Sequence, residues 1–87
     1  MYKVVFTKRA KKEFLKLDRS QAIMITAWIE KNLENCTDPR AVGKPLTADF
    51  KGLWRYRVGD YRIITSIEDD TLLIVTMRIG HRKEIYE

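Results

Sequence analysis

One cysteine and one histidine are all that this 87-residue chain has of the two side chains most used for redox chemistry and metal binding. A lone Cys36 excludes an internal disulfide framework. Read on a helix among apolar neighbours, it is a small packing residue rather than a nucleophile. One histidine, one cysteine and scattered carboxylates do not give zinc-ligand spacing. A two-metal nuclease needs a convergent acidic cluster, whereas Asp69-Asp70 falls on a turn. No glycine-rich phosphate loop is present. No apolar run approaches the length that spans a bilayer, and the opening MYKVVFTKRAKK lacks the long apolar segment of a signal peptide. Internal repeats and low-complexity tracts are missing too. We therefore expect a cytoplasmic protein with no membrane contact, cofactor or metal.

The composition is that of a globular chain, with 45% apolar and 33% charged residues. Its length suits a single domain over residues 1–87 with a modest core. The net charge of +5 suggests nucleic acid or an acidic protein as partner, although a solvated cationic surface has the same balance.

Residues 2–6, YKVVF, are β-branched and aromatic and read as a short strand. Thr7 is placed to N-cap a helix through KRAKKEFLKL, with Ala10, Phe14 and Leu17 as its buried stripe. Asp18 and Gln21 have capping-box spacing and open a second helix, whose inner face is Ala22, Ile25, Ile29 and Leu33 with Trp28 alongside. Asp38-Pro39 closes it. Residues 38–51 read as a polar connector with little regular structure. The period then changes to 2, predicting strands at 53–58, 61–67 and 72–79 with turns at Gly59-Asp60 and Asp69-Asp70. The expected class is α+β, in the order β-α-α-β-β-β. An N-terminal helical hairpin packs on an antiparallel or mixed four-stranded sheet, and the place of the first strand in it is open.

The stretch GLWRYRVGDYRIIT, residues 52–65, carries three arginines on one hairpin. Like charges facing each other across strands destabilise a sheet, so an anionic partner is the reason to accept them. A two-residue turn at Gly59-Asp60 sets Val58 opposite Tyr61, Arg57 opposite Arg62, Tyr56 opposite Ile63 and Arg55 opposite Ile64. Alternation then puts Arg55, Arg57 and Arg62 on one face and Trp54, Tyr56, Val58, Tyr61 and Ile63 on the other, the core face. Pairing Ile67 with Leu72 puts Met77 opposite Arg62 and Val75 opposite Ile64. The arginine face would continue into Leu73, Val75, Met77 and Ile79, as a groove floor cationic at one end. Arginine keeps its charge and its planar fork fits phosphate oxygens. Ion pairing on an ordinary surface is the competing reading.

Gly80 permits a bend, after which His81 and Arg82 fall near the first turn and can approach Arg57 and Arg62. His81 is the one group that titrates near neutrality unperturbed. Tyr86 offers a phenol, a group whose pKa neighbouring cations can lower. The alternatives are a surface histidine at a strand end and an aromatic that caps the core. A phosphodiester cut without metal at such a site is most naturally RNA, whose 2′-OH serves as internal nucleophile.

In combination, WRYRVGDYRII and the terminal GHRKEIY make the chain resemble the RelE family of bacterial toxins, within the RelE/ParE superfamily. The resemblance extends over nearly the whole chain, including FTKRAKKEFLKL, the second helix and GKPLTADFKGLWRYRVGDYRIIT. It implies a RelE/ParE-like, microbial ribonuclease-like fold. It implies a metal-independent endoribonuclease that cuts messenger RNA in the ribosomal A site, giving a 2′,3′-cyclic phosphate and a 5′-OH. A cognate antitoxin encoded alongside is also implied, and through it the complex binds operator DNA. Arg55 and Arg57 match the family's basic pair before the turn, Arg62 the arginine that contacts the scissile phosphate, Arg82 the basic residue after the last strand, and Tyr86 the C-terminal aromatic. Some relatives have lysines where Arg55 and Arg57 stand, or a connector glutamate where GKPLT stands here, and use them as general base. Arginine does not readily lose a proton, which leaves His81 and then Tyr86 as candidates for proton transfer. The basic helix face of Lys8, Arg9, Lys11, Lys12 and Lys16 suits ribosomal RNA or plain solvent. A ParE-like toxin that poisons DNA gyrase without cutting RNA, and an inactive binding relative, are the alternatives.

Overall fold

Each helix starts where a side chain takes an orphan amide. Thr7 Oγ1 accepts from the Ala10 N–H at 3.1 Å and Asp18 Oδ1 from the Gln21 N–H at 2.9 Å, as the capping residues predict. The computed structural model describes residues 1–47 and 50–85. Strand β1 (Lys3–Phe6) leads into helices α1 (Lys8–Leu15) and α2 (Arg19–Asn32). Strands β2 (Lys44–Pro45), β3 (Trp54–Val58), β4 (Tyr61–Glu68) and β5 (Leu73–His81) follow. Among the described residues no helix is long and apolar enough to cross a membrane.

The α+β class is as expected, but the sheet has five strands rather than four, in the order β1-β5-β4-β3-β2. β1 joins parallel to β5, the placement that the sequence left open, and the other pairings are antiparallel. The extra strand comes from the connector, which is not irregular throughout. Gly43 takes φ 83°, and a Cβ there would lie 2.5 Å from the Arg55 carbonyl oxygen. Only glycine allows so close an approach, and the next two residues then pair with β3.

Helix α2 ends at Asn32, short of the Asp38-Pro39 stop expected for it. The reason is Asn35, which takes a left-handed φ of 64° and turns the chain against β1. Its N–H donates to the Tyr2 carbonyl at 2.8 Å, and the Tyr2 N–H to the Cys36 carbonyl at 2.9 Å. Cys36 is therefore off the helix, half-buried against the core, and burial pushes its thiol pKa up. Leu17 likewise lies past the end of α1 yet still packs on the core. Ile25, Ile29 and Leu33 pack on Tyr56, Val58, Ile63, Ile74 and Ile79 of the sheet. Each such side chain contributes roughly 1.5–3 kcal/mol.

The β3–β4 hairpin has the expected register, from Val58 opposite Tyr61 to Arg55 opposite Ile64. Gly59 opens its turn at φ 60°, a value that suits the first position of a II′ turn. The β4–β5 hairpin differs. Ile67 pairs with Ile74 rather than Leu72, and the loop closes at Glu68 and Leu73 with Leu72 at φ 56°. Asp69 in that loop is tied to the Tyr2 hydroxyl at 2.6 Å and to both terminal nitrogens of Arg40 at 3.0 and 3.2 Å. These ties hold the longer loop. A register shift follows between Ile64 and Thr65, where Thr65 faces Thr76 but Ile64 faces Arg78. Met77 is the extra residue of a β-bulge. Arg62 consequently faces Gly80 rather than Met77, and Ile79 turns into the core rather than onto the arginine face.

Two hydrogen bonds stitch the connector to β3. The Tyr56 hydroxyl donates to the Pro39 carbonyl at 2.6 Å, and Trp54 Nε1 to the Val42 carbonyl at 2.8 Å. Tyr56 is fully buried, and burial pushes its phenol pKa well up. Tyr56→Phe would leave the buried Pro39 carbonyl without its donor. Chemical denaturation should show a loss of about 1–3 kcal/mol with an unchanged m-value.

Candidate nucleic-acid interface

Residues paired across a sheet project to the same side, and neighbours along a strand to opposite sides. Two adjacent cross-strand rows result. One runs Lys44, Arg55, Ile64, Arg78, and the next runs Arg57, Arg62, Gly80. Arg55, Arg57 and Arg62 thus share a face, opposite the one carrying Tyr56, Val58 and Ile63 into the core. Arg57 is exposed, Arg55 half-buried, and Arg62 only 4% exposed. Arg62 Nη1 donates to the Tyr61 carbonyl at 3.3 Å. A guanidinium withdrawn from bulk water acts on an approaching anion through a lower effective dielectric.

The end of β5 is arranged around Gly80. It lies inside the strand rather than at a bend, and its role is space: a Cβ there would meet Ile85 Cγ1 at 3.1 Å. Ile85 packs with Leu46, Ile64 and Leu53 in a small second apolar cluster on the arginine side of the sheet. The chain turns after His81, whose carbonyl accepts from the N–H groups of Glu84 and Ile85 at 2.8 and 3.1 Å. The Arg82 N–H donates to the Asp60 carbonyl at 2.8 Å, so Arg82 sits at the β3–β4 turn as expected. His81 does not join the arginines. It pairs with Tyr61, one position beyond the Arg62–Gly80 pair, so the pleat turns it to the other face. There its ring stands edge-on to Tyr61 at 5.5 Å, and Nδ1 accepts from the Lys83 N–H at 3.2 Å. Tyr86 lies outside the described residues. Among the described residues no three histidine, cysteine or acidic side chains group to hold a metal ion.

Residues 4–86 match the family described as ParE toxin of type II toxin-antitoxin system, parDE. This chain is a type II toxin of the RelE/ParE superfamily. It is 32% identical over 85 residues to Toxin RelG of Mycobacterium tuberculosis, covering 98% of this chain and 95% of the relative. It is 31% identical over 85 residues to Toxin RelE of the same organism, covering 98% and 86%. Among solved structures, the M. tuberculosis RelBE2 toxin-antitoxin complex superposes with a TM-score of 0.84 at 31% identity, covering 93% of this chain and 98% of the other. Isolated Escherichia coli RelE superposes at 0.72 with 18% identity, covering 93% and 84%, which shows the shared fold.

Two cations of the toxin's arginine face were missed from sequence. Lys44 lies in a connector without periodicity, and Arg78 reaches this face only through the bulge, for which the sequence carries no local signal. Arg78 is held by Glu13 of α1: Nε and Nη2 donate to Glu13 Oε2 at 3.0 and 2.8 Å. Arg9 Nε lies 3.6 Å from the same oxygen, and Glu13 Oε1 accepts the Ile79 N–H at 2.9 Å. Beyond Thr76, β1 no longer covers β5, and Glu13 takes this edge amide in its place. Burial pushes the Glu13 carboxyl up, but the Arg78 and Ile79 hydrogen bonds and the charges of Arg78 and Arg9 outweigh it and leave the pKa below the usual carboxylate value.

A carboxylate whose pKa is lower in the folded than in the unfolded chain stabilises the fold above its unfolded value and ceases to as pH falls through its folded value. Wild-type melting temperature should therefore drop below about pH 4.5 with a component that Glu13→Gln lacks. Parallel melting curves from neutral pH to about pH 2.5 check this, and two profiles of the same shape would refute it.

Proposed function

We propose that this toxin is a metal-independent endoribonuclease that cleaves translated messenger RNA in the ribosomal A site. The observation that carries the reading is the placement of Arg55, Arg57 and Arg62 in adjacent rows on one face. Cations in this number repel a metal ion and attract a phosphodiester. In the proposed step the 2′-oxygen bonds to the adjacent phosphorus and the bond to the 5′-oxygen breaks. The 2′-OH gives up a proton and the leaving oxygen gains one. The arginines stabilise the charge that accumulates on the phosphorane, a contribution that grows toward the transition state. Arg82, at the neighbouring turn, adds to the field on the incoming strand. Tyr86 follows Ile85 in the chain and is the proposed proton-transfer group in place of His81, which stands on the far face.

The partner that follows is a cognate antitoxin encoded alongside, covering the cationic face and linking the complex to operator DNA. The RelB chains in the solved complexes of M. tuberculosis and Pyrococcus horikoshii relatives support it. Poisoning of DNA gyrase without RNA cleavage is the second reading, favoured by the ParE description of the matching family. The intact arginine set and the RelE and RelG relatives favour the first.

Primer extension on a translated message with purified protein and ribosomes, beside naked RNA, separates them. New 5′ ends at codon positions only with ribosomes are expected. Arg62→Ala should lower the cleavage rate about 10²–10³-fold while the fold is retained. A well-folded Arg62→Ala variant that still cleaves at the wild-type rate would remove Arg62 from the site. Trapped gyrase–DNA complexes with intact RNA would establish the second reading.

A further inference from the structure

Glu13 is the one acidic residue of α1, among Lys8, Arg9, Lys11 and Lys12. Its carboxylate stands at the end of the row Lys44, Arg55, Ile64, Arg78, where a negative charge weakens the attraction for an anion. Both oxygens are committed. Oε2 accepts from Arg78 Nε and Nη2 at 3.0 and 2.8 Å, and Oε1 from the Ile79 N–H at 2.9 Å. The Ile79 amide needs only an acceptor, which a neutral side chain also supplies. The charge has a separate effect: two contacts along one edge of the guanidinium fix the plane of the Arg78 fork. The Arg78 side chain is 31% exposed, and it lines both the apolar groove at Ile64 and Met77 and the polar cleft at Gly80. Fixing so exposed a side chain beforehand removes its ordering cost from binding.

We propose that Glu13 is a positioning residue that aims Arg78 at a second phosphate of the RNA, next to the one that Arg55, Arg57 and Arg62 hold in the ribonuclease reading. The inference rests on that reading and adds two residues to its site. Arg78 stands opposite Ile64, and Arg62 is two residues from Ile64 on the same face. One strand across and two residues along separate the Cα atoms of the two arginines by about 8 Å. Glu13 then draws the Arg78 guanidinium toward the outer edge of β5, where the same carboxylate takes the Ile79 amide. The two forks therefore meet separate phosphates instead of crowding one. Nε and Nη2 of Arg78 are turned to Glu13, so contact with an anion falls to the Nη1 edge. The carboxylate's own charge opposes RNA binding, whereas its hold on Arg78 favours it, and the two effects have opposite signs.

The test measures binding of the full-length toxin to a short single-stranded RNA whose 2′-O-methyl groups prevent cleavage, by fluorescence anisotropy from about 50 to 200 mM salt. Arg78→Ala should lower the slope of log K against log salt by about 0.7, the contribution of one phosphate, as Arg57→Ala should for the arginine rows. Glu13→Gln keeps an acceptor for the Ile79 N–H and removes a negative charge. It should nevertheless weaken binding about threefold, and have no further effect in an Arg78→Ala background. A purely structural Glu13 predicts the opposite sign, tighter binding through the lost charge. Tighter or unchanged binding by folded Glu13→Gln would overturn the positioning role, and so would additive losses in the double variant. A wild-type slope in Arg78→Ala, with Arg57→Ala reduced, would overturn the second phosphate contact and leave the ribonuclease site standing. Unchanged slopes in both would overturn the site and the inference together.

Discussion

One extra residue in β5 decides what the basic face of this toxin contains. Had β4 and β5 paired without a bulge, Arg78 and Gly80 would point into the core and Met77 and Ile79 onto the arginine face. The inserted position reverses this over the last turn of the strand. Ile79 enters the core, Arg78 meets Glu13, and Gly80 comes opposite Arg62, where its missing side chain leaves room for Ile85. The turn after His81 then folds back over the sheet and delivers Arg82 to Asp60. A bulge costs local ladder bonds. Here the exposed edge it leaves is covered by Glu13, whose second oxygen takes the Ile79 amide.

Crowding cations on a sheet opposes folding, and the structure limits that opposition unevenly. Arg78 and Arg9 share the carboxylate of Glu13. Arg57 stays in solvent, where screening reduces repulsion from its cross-strand neighbour Arg62. Arg62 is buried, with its guanidinium donating to a main-chain carbonyl. The gradient from exposed Arg57 to buried Arg62 suits an anion captured first at long range and then held where the dielectric is lower.

Much of this was legible in the sequence because it rests on short-range rules. Thr7 and Asp18 cap their helices, Gly59 turns the hairpin, and period-2 alternation separates Tyr56 and Ile63 from Arg55, Arg57 and Arg62. What escaped depends on distant parts of the chain. The loop before β5 is set by Asp69 reaching Tyr2 and Arg40, and the fifth strand by Gly43 fitting against Arg55 and Trp54. Neither contact has a local pattern. The longer loop shifts β5 by an even two residues and leaves the faces unchanged, so the single bulge residue was enough to exchange Met77 and Ile79 for Arg78 and Gly80 on the arginine face.

The same alternation governs the proton. Permanently charged guanidinium groups can hold a phosphate and its growing charge, but they exchange no proton at working pH. His81 is the chain's one imidazole, and the pleat turns it toward Tyr61 because it stands one position beyond the Arg62–Gly80 pair. Bringing it to the arginines would take a register slip that also moves Ile79 out of the core and Gly80 away from Ile85. A conformational change of that size disrupts the packing that holds Arg62 in place. In the proposed reaction the arginine face therefore acts by orientation and electrostatic stabilisation, and proton transfer falls to the chain after Ile85 or to the RNA and its surroundings.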